Sequence, residues 1–142
     1  MKHAHKTLLH RLFGAGRVPK GVMAQIEQEG ILLQDEGIGG SITFRNFRGP
    51  GRRHGWKRSW FTGSIVLTKE TFLAFNFSNP VIGIPWSDEK LKELNCSLEN
   101  ENVLCVQYDA STFNDEWSGD IEVRFRTPLA GQILEVIEGI IV

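Results

Sequence analysis

From residue 31 onward, apolar and polar residues tend to alternate with the period of two that is typical of β-strands. In the clearest case, Ile121, Val123 and Phe125 are expected to face the interior, and the charged residues between them to face water. The pattern predicts about seven antiparallel strands, drawn from the segments 31–33, 41–47, 56–62, 64–68, 72–77, 82–86, 103–108 and 121–127. A flexible break is expected at 37–40, which is rich in glycine. Segment 82–86 is predicted to be an edge strand, because Pro85 has no N–H to donate to a neighbour.

Three segments have the signals of helices instead. Pro19 suits the first turn of a helix whose apolar face ends before Gly30. Ser87 is expected to cap a short helix at 88–94. Thr127 and Pro128 begin a final helix with a broad apolar stripe, formed by Leu129, Ile133, Val136, Ile137 and Ile140. A helix this apolar that follows a series of strands must pack against the sheet.

Two motifs resemble those of a known superfold. Residues 63–68 (GSIVLT) and 72–75 (FLAF) resemble the G-x-L-x-L-T…L-x-F hairpin of GRAM-like and bacterial pleckstrin-homology-like domains. Residues 56–61 (WKRSWF) are similar to the W-K-x-R-W-F second strand of ordinary pleckstrin-homology domains, but in a different register. We favour the GRAM-like alignment, because it accounts for most of residues 29–138.

This resemblance implies a bent antiparallel barrel of about seven strands, closed at one end by a C-terminal helix. We expect a basic N-terminal arm with a short helix at 1–28 and a pleckstrin-homology-like domain at 29–142. The resemblance also implies a scaffold that is not an enzyme and binds phosphoinositides, peptides or copies of itself. Lys57, Arg52 and Arg53 fit the basic pattern that binds phosphoinositides, whereas Ser59 stands where that pattern has arginine.

The composition fits one soluble domain. The chain has 142 residues, of which 41% are hydrophobic and 23% charged, and it contains no apolar run near the ~20 residues that span a bilayer. Its two cysteines have no metal-binding spacing, and we expect two free thiols and a cytoplasmic protein. The formal net charge of −1 combines +7 in residues 1–60 with −8 in residues 61–142. These halves either interleave in the fold or provide complementary surfaces on two molecules.

The most distinctive segment is the basic loop at 45–58, which holds six Lys and Arg residues around a Gly49-Pro50-Gly51 turn. No acidic residue occurs between Glu36 and Glu70, so an anionic partner would be attracted to this loop. The alternative is a solvated hairpin whose arginines pair with neighbouring carboxylates. The candidate anion-binding residues are Arg48, Arg52, Arg53, Trp56, Lys57 and Arg58.

We therefore expect a non-enzymatic binding module that forms a homo-oligomer or docks on a protein partner. In that hypothesis the basic loop of one copy contacts the acidic loop at 109–120 of another. The alternative is peripheral binding of an anionic lipid headgroup or phosphate through loop 45–58, with Trp56 inserted into the membrane surface. Nucleic acid is disfavoured, because bases need exposed aromatic side chains while alternation predicts that Trp60 lies in the core.

No residue set predicts catalysis, a metal site or a cofactor. A nucleophilic triad requires a histidine that converges with a nucleophile and a carboxylate, but all four histidines lie in the first 54 residues. His3, His5 and His10 are expected to bind metal only adventitiously, since no cysteine or carboxylate lies near them in the sequence. The glycines at 37–40 lack the Lys-Ser/Thr of a phosphate-binding loop. The acidic loop lacks the regular spacing of a calcium site.

Overall fold

The computed structural model describes residues 16–141, and within them the protein is mainly β. The strands are β1 (Ile31–Gly49), β2 (Arg52–Thr68), β3 (Thr71–Asn76), β4 (Asn79–Pro85), β5 (Asn95–Asn100), β6 (Val103–Asp109) and β7 (Ser118–Arg126). The helices are α1 (Lys20–Glu29) and α2 (Ala130–Ile141), with two short 3₁₀ helices at Glu89–Glu93 and Ala110–Thr112. All seven strands form one antiparallel sheet in the order β4-β3-β2-β1-β7-β6-β5, which is not closed. The predicted mainly β fold with a helix at each end is confirmed.

The first two strands are longer than the sequence pattern predicted. The expected break at 37–40 is wrong, because β1 runs without interruption through the glycines. Gly37 has a φ of +69° at a shift of register between Glu36 and Ile38, so it forms a β-bulge that bends the strand. Segments 56–62 and 64–68 likewise form one strand, β2. A Cβ at Gly63 would overlap the carbonyl oxygen of Phe75, which explains why glycine joins the two halves.

The main hydrophobic core lies on one face of the sheet and is covered by α2. Ile133 and Ile137 are buried in it, whereas Ile140 at the end of the apolar stripe is partly exposed. The side chain of Thr127 accepts a hydrogen bond from the N–H of Leu129 (3.1 Å), which caps the helix start. The predicted packing of the final helix on the sheet is confirmed.

A second, smaller cluster lies outside the main core. Here α1 packs Ile26 with Val18, Val66 and Phe75, so the predicted helix after Pro19 is confirmed. The helix ends at Gly30, whose φ of +88° continues the chain into β1. The boundary proposed near residue 28 stays a prediction.

Two local expectations are corrected by the structure. The short helix at 88–94 is a 3₁₀ helix, and its cap is Asp88, whose carboxylate accepts the N–H of Lys90 (2.9 Å), and not Ser87. Strand β5 was missed, because most of its side chains are exposed and give no alternating pattern. The predicted edge strand is confirmed, since β4 lies at one end of the sheet. Cys96 and Cys105 lie on the adjacent strands β5 and β6 as free thiols.

Candidate functional site

Strands β1 and β2 form a long hairpin. Near its turn, β1 has a paired strand on each side, whereas β2 is paired, within residues 16–141, only with β1. Beyond Gly40, β1 pairs with β7 as well as with β2. Pairing of β2 with β3 starts only at Gly63, and no other described strand pairs with β2 before that point. We call residues 52–61 of β2, on the side away from β1, the free edge.

One hydrogen bond fixes the direction of the backbone groups along this free edge. The N–H of Phe77 donates to the carbonyl oxygen of Thr62 (3.0 Å), so that carbonyl points away from β1. Because this direction alternates along a strand and the pairing with β1 is uninterrupted from Trp56 to Thr62, the N–H and C=O groups of Trp56, Arg58 and Trp60 also point outward. The side chains of these three residues share one face of the hairpin, called the outer face below, whereas His54 and Arg52 lie against the ring of the buried Phe47.

The two tryptophans on the outer face are the most exposed large apolar residues described. Trp56 is 60% exposed and Trp60 is 72% exposed. The register places both on one face, and the expectation that Trp60 lies in the core is wrong. Phe61, on the opposite face, takes the core position in series with Ile65. In the segment WKRSWF, either of the adjacent residues Trp60 and Phe61 could face the core from the sequence alone, and the register of the strand decides which one does.

Arg58 lies between the two tryptophans and is held by its neighbours. Its guanidinium carbon lies 5.3 Å from the centre of the Trp56 ring, a cation–π contact. Its Nε also donates a hydrogen bond to Oγ1 of Thr43 (2.9 Å), which is buried on the adjacent strand. Arg58 therefore restricts the motion of the Trp56 indole.

A buried carboxylate, Glu122 on β7, organises the neighbouring charges. It accepts hydrogen bonds from Arg45 (3.1 Å) and Gln107 (2.6 Å) and forms an ion pair with Arg124 (2.8 Å). Arg124 also contacts Glu99 at 2.8 Å. Burial alone would raise the pKa of Glu122, but the hydrogen bonds from Gln107 and Arg45 and the nearby Arg124 outweigh it, so the pKa is lowered. Glu122 was expected to face water and is instead covered by these partners.

Three arginines gather around the hairpin turn, at residues 48–53, which we call the hairpin tip. Arg48, Arg52 and Arg53 line an open depression of about 350 Å³ together with two glycines. Arg48 and Arg53 are directly opposite each other across the strands, an arrangement that costs stability. Within residues 16–141 none of the three forms an ion pair.

The six predicted anion-binding residues therefore do not converge on one point. Arg48, Arg52 and Arg53 lie at the hairpin tip, and Trp56 and Arg58 lie on the outer face. Lys57 points to the other side of β2, across from Phe44, and is exposed. Trp60 is not among the six predicted residues, although it is exposed beside them and forms one wall of a groove of about 360 Å³ along Gly39, Gly40 and Ser41.

The acidic loop lies beside the basic hairpin in the same molecule. Ser118 at the start of β7 is opposite Arg48, and the Trp117 ring packs edge-on against Phe47 at 5.4 Å. Further along, Asp120 is opposite Arg45. The basic and acidic halves of the sequence thus interleave along β1 and β7 instead of forming two distant faces.

Other kinds of site receive no support within the described part of the chain. No group of three or more His, Cys, Asp or Glu residues there is arranged to hold a metal ion. His3, His5 and His10 lie outside the described residues. No helix among residues 16–141 has the length and apolar character to cross a membrane. Comparisons of the chain with protein-family models, with curated proteins and with solved structures found no match.

Proposed function

We propose that this chain is a non-enzymatic, pleckstrin-homology-like module that binds a phosphate-bearing anion at the β1–β2 hairpin. The observation that carries the proposal is the set of three arginines at the hairpin tip, which have no ion-pair partner within residues 16–141. Arg45 and Arg124, by contrast, are held by buried Glu122. Opposed arginines destabilise a hairpin, and a bound anion would offset that cost.

The family part of the proposal is supported by the order of the strands and helices. A seven-stranded antiparallel sheet in which β1 lies next to β7, followed by a C-terminal helix over the core, is the arrangement expected of a bent barrel of this superfold. Such a fold does not by itself imply a ligand. The ligand is inferred from the hairpin tip alone.

The expected affinity is modest. Each cation near an anionic surface contributes ~1 kcal/mol, so three arginines supply about 3 kcal/mol, roughly a hundredfold enrichment. Binding should weaken strongly as ionic strength rises, because exposed charges are screened. A further contact is needed for stable binding, and the exposed Trp56 is available for it.

The test is co-sedimentation with vesicles of anionic or zwitterionic lipid, together with a titration of inorganic tripolyphosphate at low salt. The variant Arg52→Glu/Arg53→Glu is expected to lose binding to both anionic probes. Its matched control is Lys90→Glu/Lys92→Glu, which makes the same change in net charge at exposed positions on the 3₁₀ helix. Equal binding by both variants, or no binding by the wild type, would contradict the proposal.

A second candidate function is self-association or docking on another protein, which the free edge favours. Along this edge Trp56, Arg58 and Trp60 present outward N–H and C=O groups to which an extended segment of another molecule can bond. Light-scattering mass across protein concentration and salt tests it. A defined oligomer that dissociates as salt rises would support charge-assisted docking, and a monomer under all conditions would remove self-association.

A further inference from the structure

We propose that the phosphate-bearing ligand of this hairpin is a single-stranded nucleic acid, whose bases stack on Trp56 and Trp60 while its phosphates contact the arginines. This inference rests on the proposed anion-binding function and names its ligand. Nucleic acid is disfavoured only if Trp60 lies in the core, and Trp60 is instead 72% exposed.

The two tryptophans are placed to hold two separate bases. They lie four residues apart on the same face of one strand, so their Cα atoms are roughly 13 Å apart. Two rings that sandwich a single base would be about 7 Å apart, twice the stacking distance. Each indole therefore offers its own stacking surface, which for Trp56 is the ring face that Arg58 does not cover, and stacking on tryptophan tolerates any base.

One cation lies on the same face as the aromatic rings, and two more lie at the hairpin tip. Arg58 is between the tryptophans, whereas Arg52 and Arg53 lie further along β2 at the tip, where Arg52 lies over the ring of the buried Phe47 at 5.6 Å. A single strand of nucleic acid that runs along β2 would find two indole rings for its bases, Arg58 between them for a phosphate, and further arginines where it reaches the tip. The nearby carboxylate of Glu122 is buried and paired with two arginines, so it presents little negative charge to such a ligand.

A membrane surface fits this arrangement less well. A hairpin that inserts into lipid needs its apolar side chains at the tip, but the turn at 49–51 consists of glycine and proline. Trp60 lies eight residues beyond Arg52, the first residue of β2 after the turn, so a tip-first approach leaves it in water. A ligand that lies along the strand contacts both tryptophans and the arginines together.

The experiment measures binding of the full chain by fluorescence anisotropy at low salt, with a labelled oligothymidylate 12-mer. A 12-mer of abasic sites carries the same phosphates without bases, and a duplex carries bases that are not free to stack. We expect the wild type to bind the oligothymidylate tighter than either control. The variants Trp56→Ala and Trp60→Ala should each weaken oligothymidylate binding by between about fivefold and a hundredfold, and abasic binding by less than twofold.

Two further variants make the outcome decisive. Trp60→Phe keeps an aromatic ring and is expected to restore most of the affinity that Trp60→Ala loses. Arg52→Glu/Arg53→Glu should weaken both oligomers and reduce the slope of log K against log salt, which is about −2 for three phosphates bound to a single strand. Because both tryptophans are exposed, these variants are expected to fold, and their melting temperatures check this.

The failures of the two proposals are distinguishable. If the wild type binds the abasic and thymidylate 12-mers equally, and only charge reversal weakens binding, the nucleic-acid inference is overturned and anion binding stands. Equal binding of the duplex would overturn it as well. If neither oligomer, nor tripolyphosphate, nor anionic vesicles bind at low salt, both proposals are wrong.

Discussion

Replacement of Glu122 by glutamine should destabilise the sheet measurably while it keeps the shape of the side chain. The carboxylate is only 4% exposed and is contacted by Arg45 at 3.1 Å, Gln107 at 2.6 Å and Arg124 at 2.8 Å. Glutamine can still accept the hydrogen bond from Gln107 through its carbonyl oxygen. It loses the charge that both arginines need, and its NH₂ group can face their donor groups.

The size of this destabilisation depends on how exposed the two arginines that contact Glu122 are. A hydrogen bond to a charged group contributes about 1.5–3 kcal/mol, and Glu122 makes more than one. The side chains of Arg45 and Arg124 are 37% and 26% exposed, so water can replace part of what they lose. We therefore expect Glu122→Gln to reduce the free energy of unfolding by about 2–3 kcal/mol, below the 3–5 kcal/mol of a fully buried broken pair.

Urea unfolding at pH 7 measures this cost, and Asp120→Asn is the control. Asp120 is exposed and lies opposite Arg45, so replacement of its carboxylate should change the free energy of unfolding by no more than about 0.5 kcal/mol. Because the pKa of Glu122 is lowered in the folded state, its contribution is complete above the unfolded value of about 4.3 and is lost as pH falls through the folded value. The difference between wild type and Glu122→Gln should thus be constant from pH 6 to 8 and shrink below about pH 4. Equal costs for the two variants at pH 7 would refute the reasoning.

Other predictions concern the core and the thiols. Gly40→Ala should lower the free energy of unfolding, measured thermally, by about 2 kcal/mol or more, because the new Cβ would overlap a carbonyl oxygen of β7. The control Gly55→Ala should change stability little, since a Cβ there has nothing within 4 Å, and equal effects of the two variants would contradict this. Ile137→Ala should cost about 2–5 kcal/mol by urea unfolding, since this side chain of α2 is fully buried against the core; a cost below about 1 kcal/mol would mean that α2 is not packed as described. Burial raises the pKa of Cys96 to about 12 and raises that of Cys105. A thiol reagent at pH 8 should therefore react slowly with both cysteines until urea is added, and fast reaction in buffer would show that the two thiols are not buried as described.

Alternation and helical periodicity predicted most of the elements because those patterns report a single buried face. They failed where a strand has no such face, as in β5, and where glycine bends a strand without ending it, as at Gly37. Whether a glycine breaks or bends a strand depends on the neighbouring strands, which pair with both halves of β1 here. That information is not local to the sequence.

The site was only partly predictable for the same reason. The density of arginine at 48–53 follows directly from the sequence, and these residues do lie together. The partners of Arg45 could not be identified, because Glu122 is 77 positions away and approaches only through the pairing of β1 with β7. The exposure of Trp60 depends on which of two adjacent aromatic residues, Trp60 or Phe61, faces the core. A shift by one residue would have exchanged them.

The measurement that tests anion binding most directly is a titration of the ¹⁵N-labelled protein with tripolyphosphate at low salt, followed by backbone amide shifts. The account predicts that the largest changes fall at residues 48–53, that they saturate, and that they disappear in Arg52→Glu/Arg53→Glu. Changes centred on Lys90 and Lys92, or no saturable change anywhere, would contradict the assignment of the hairpin tip as the anion site.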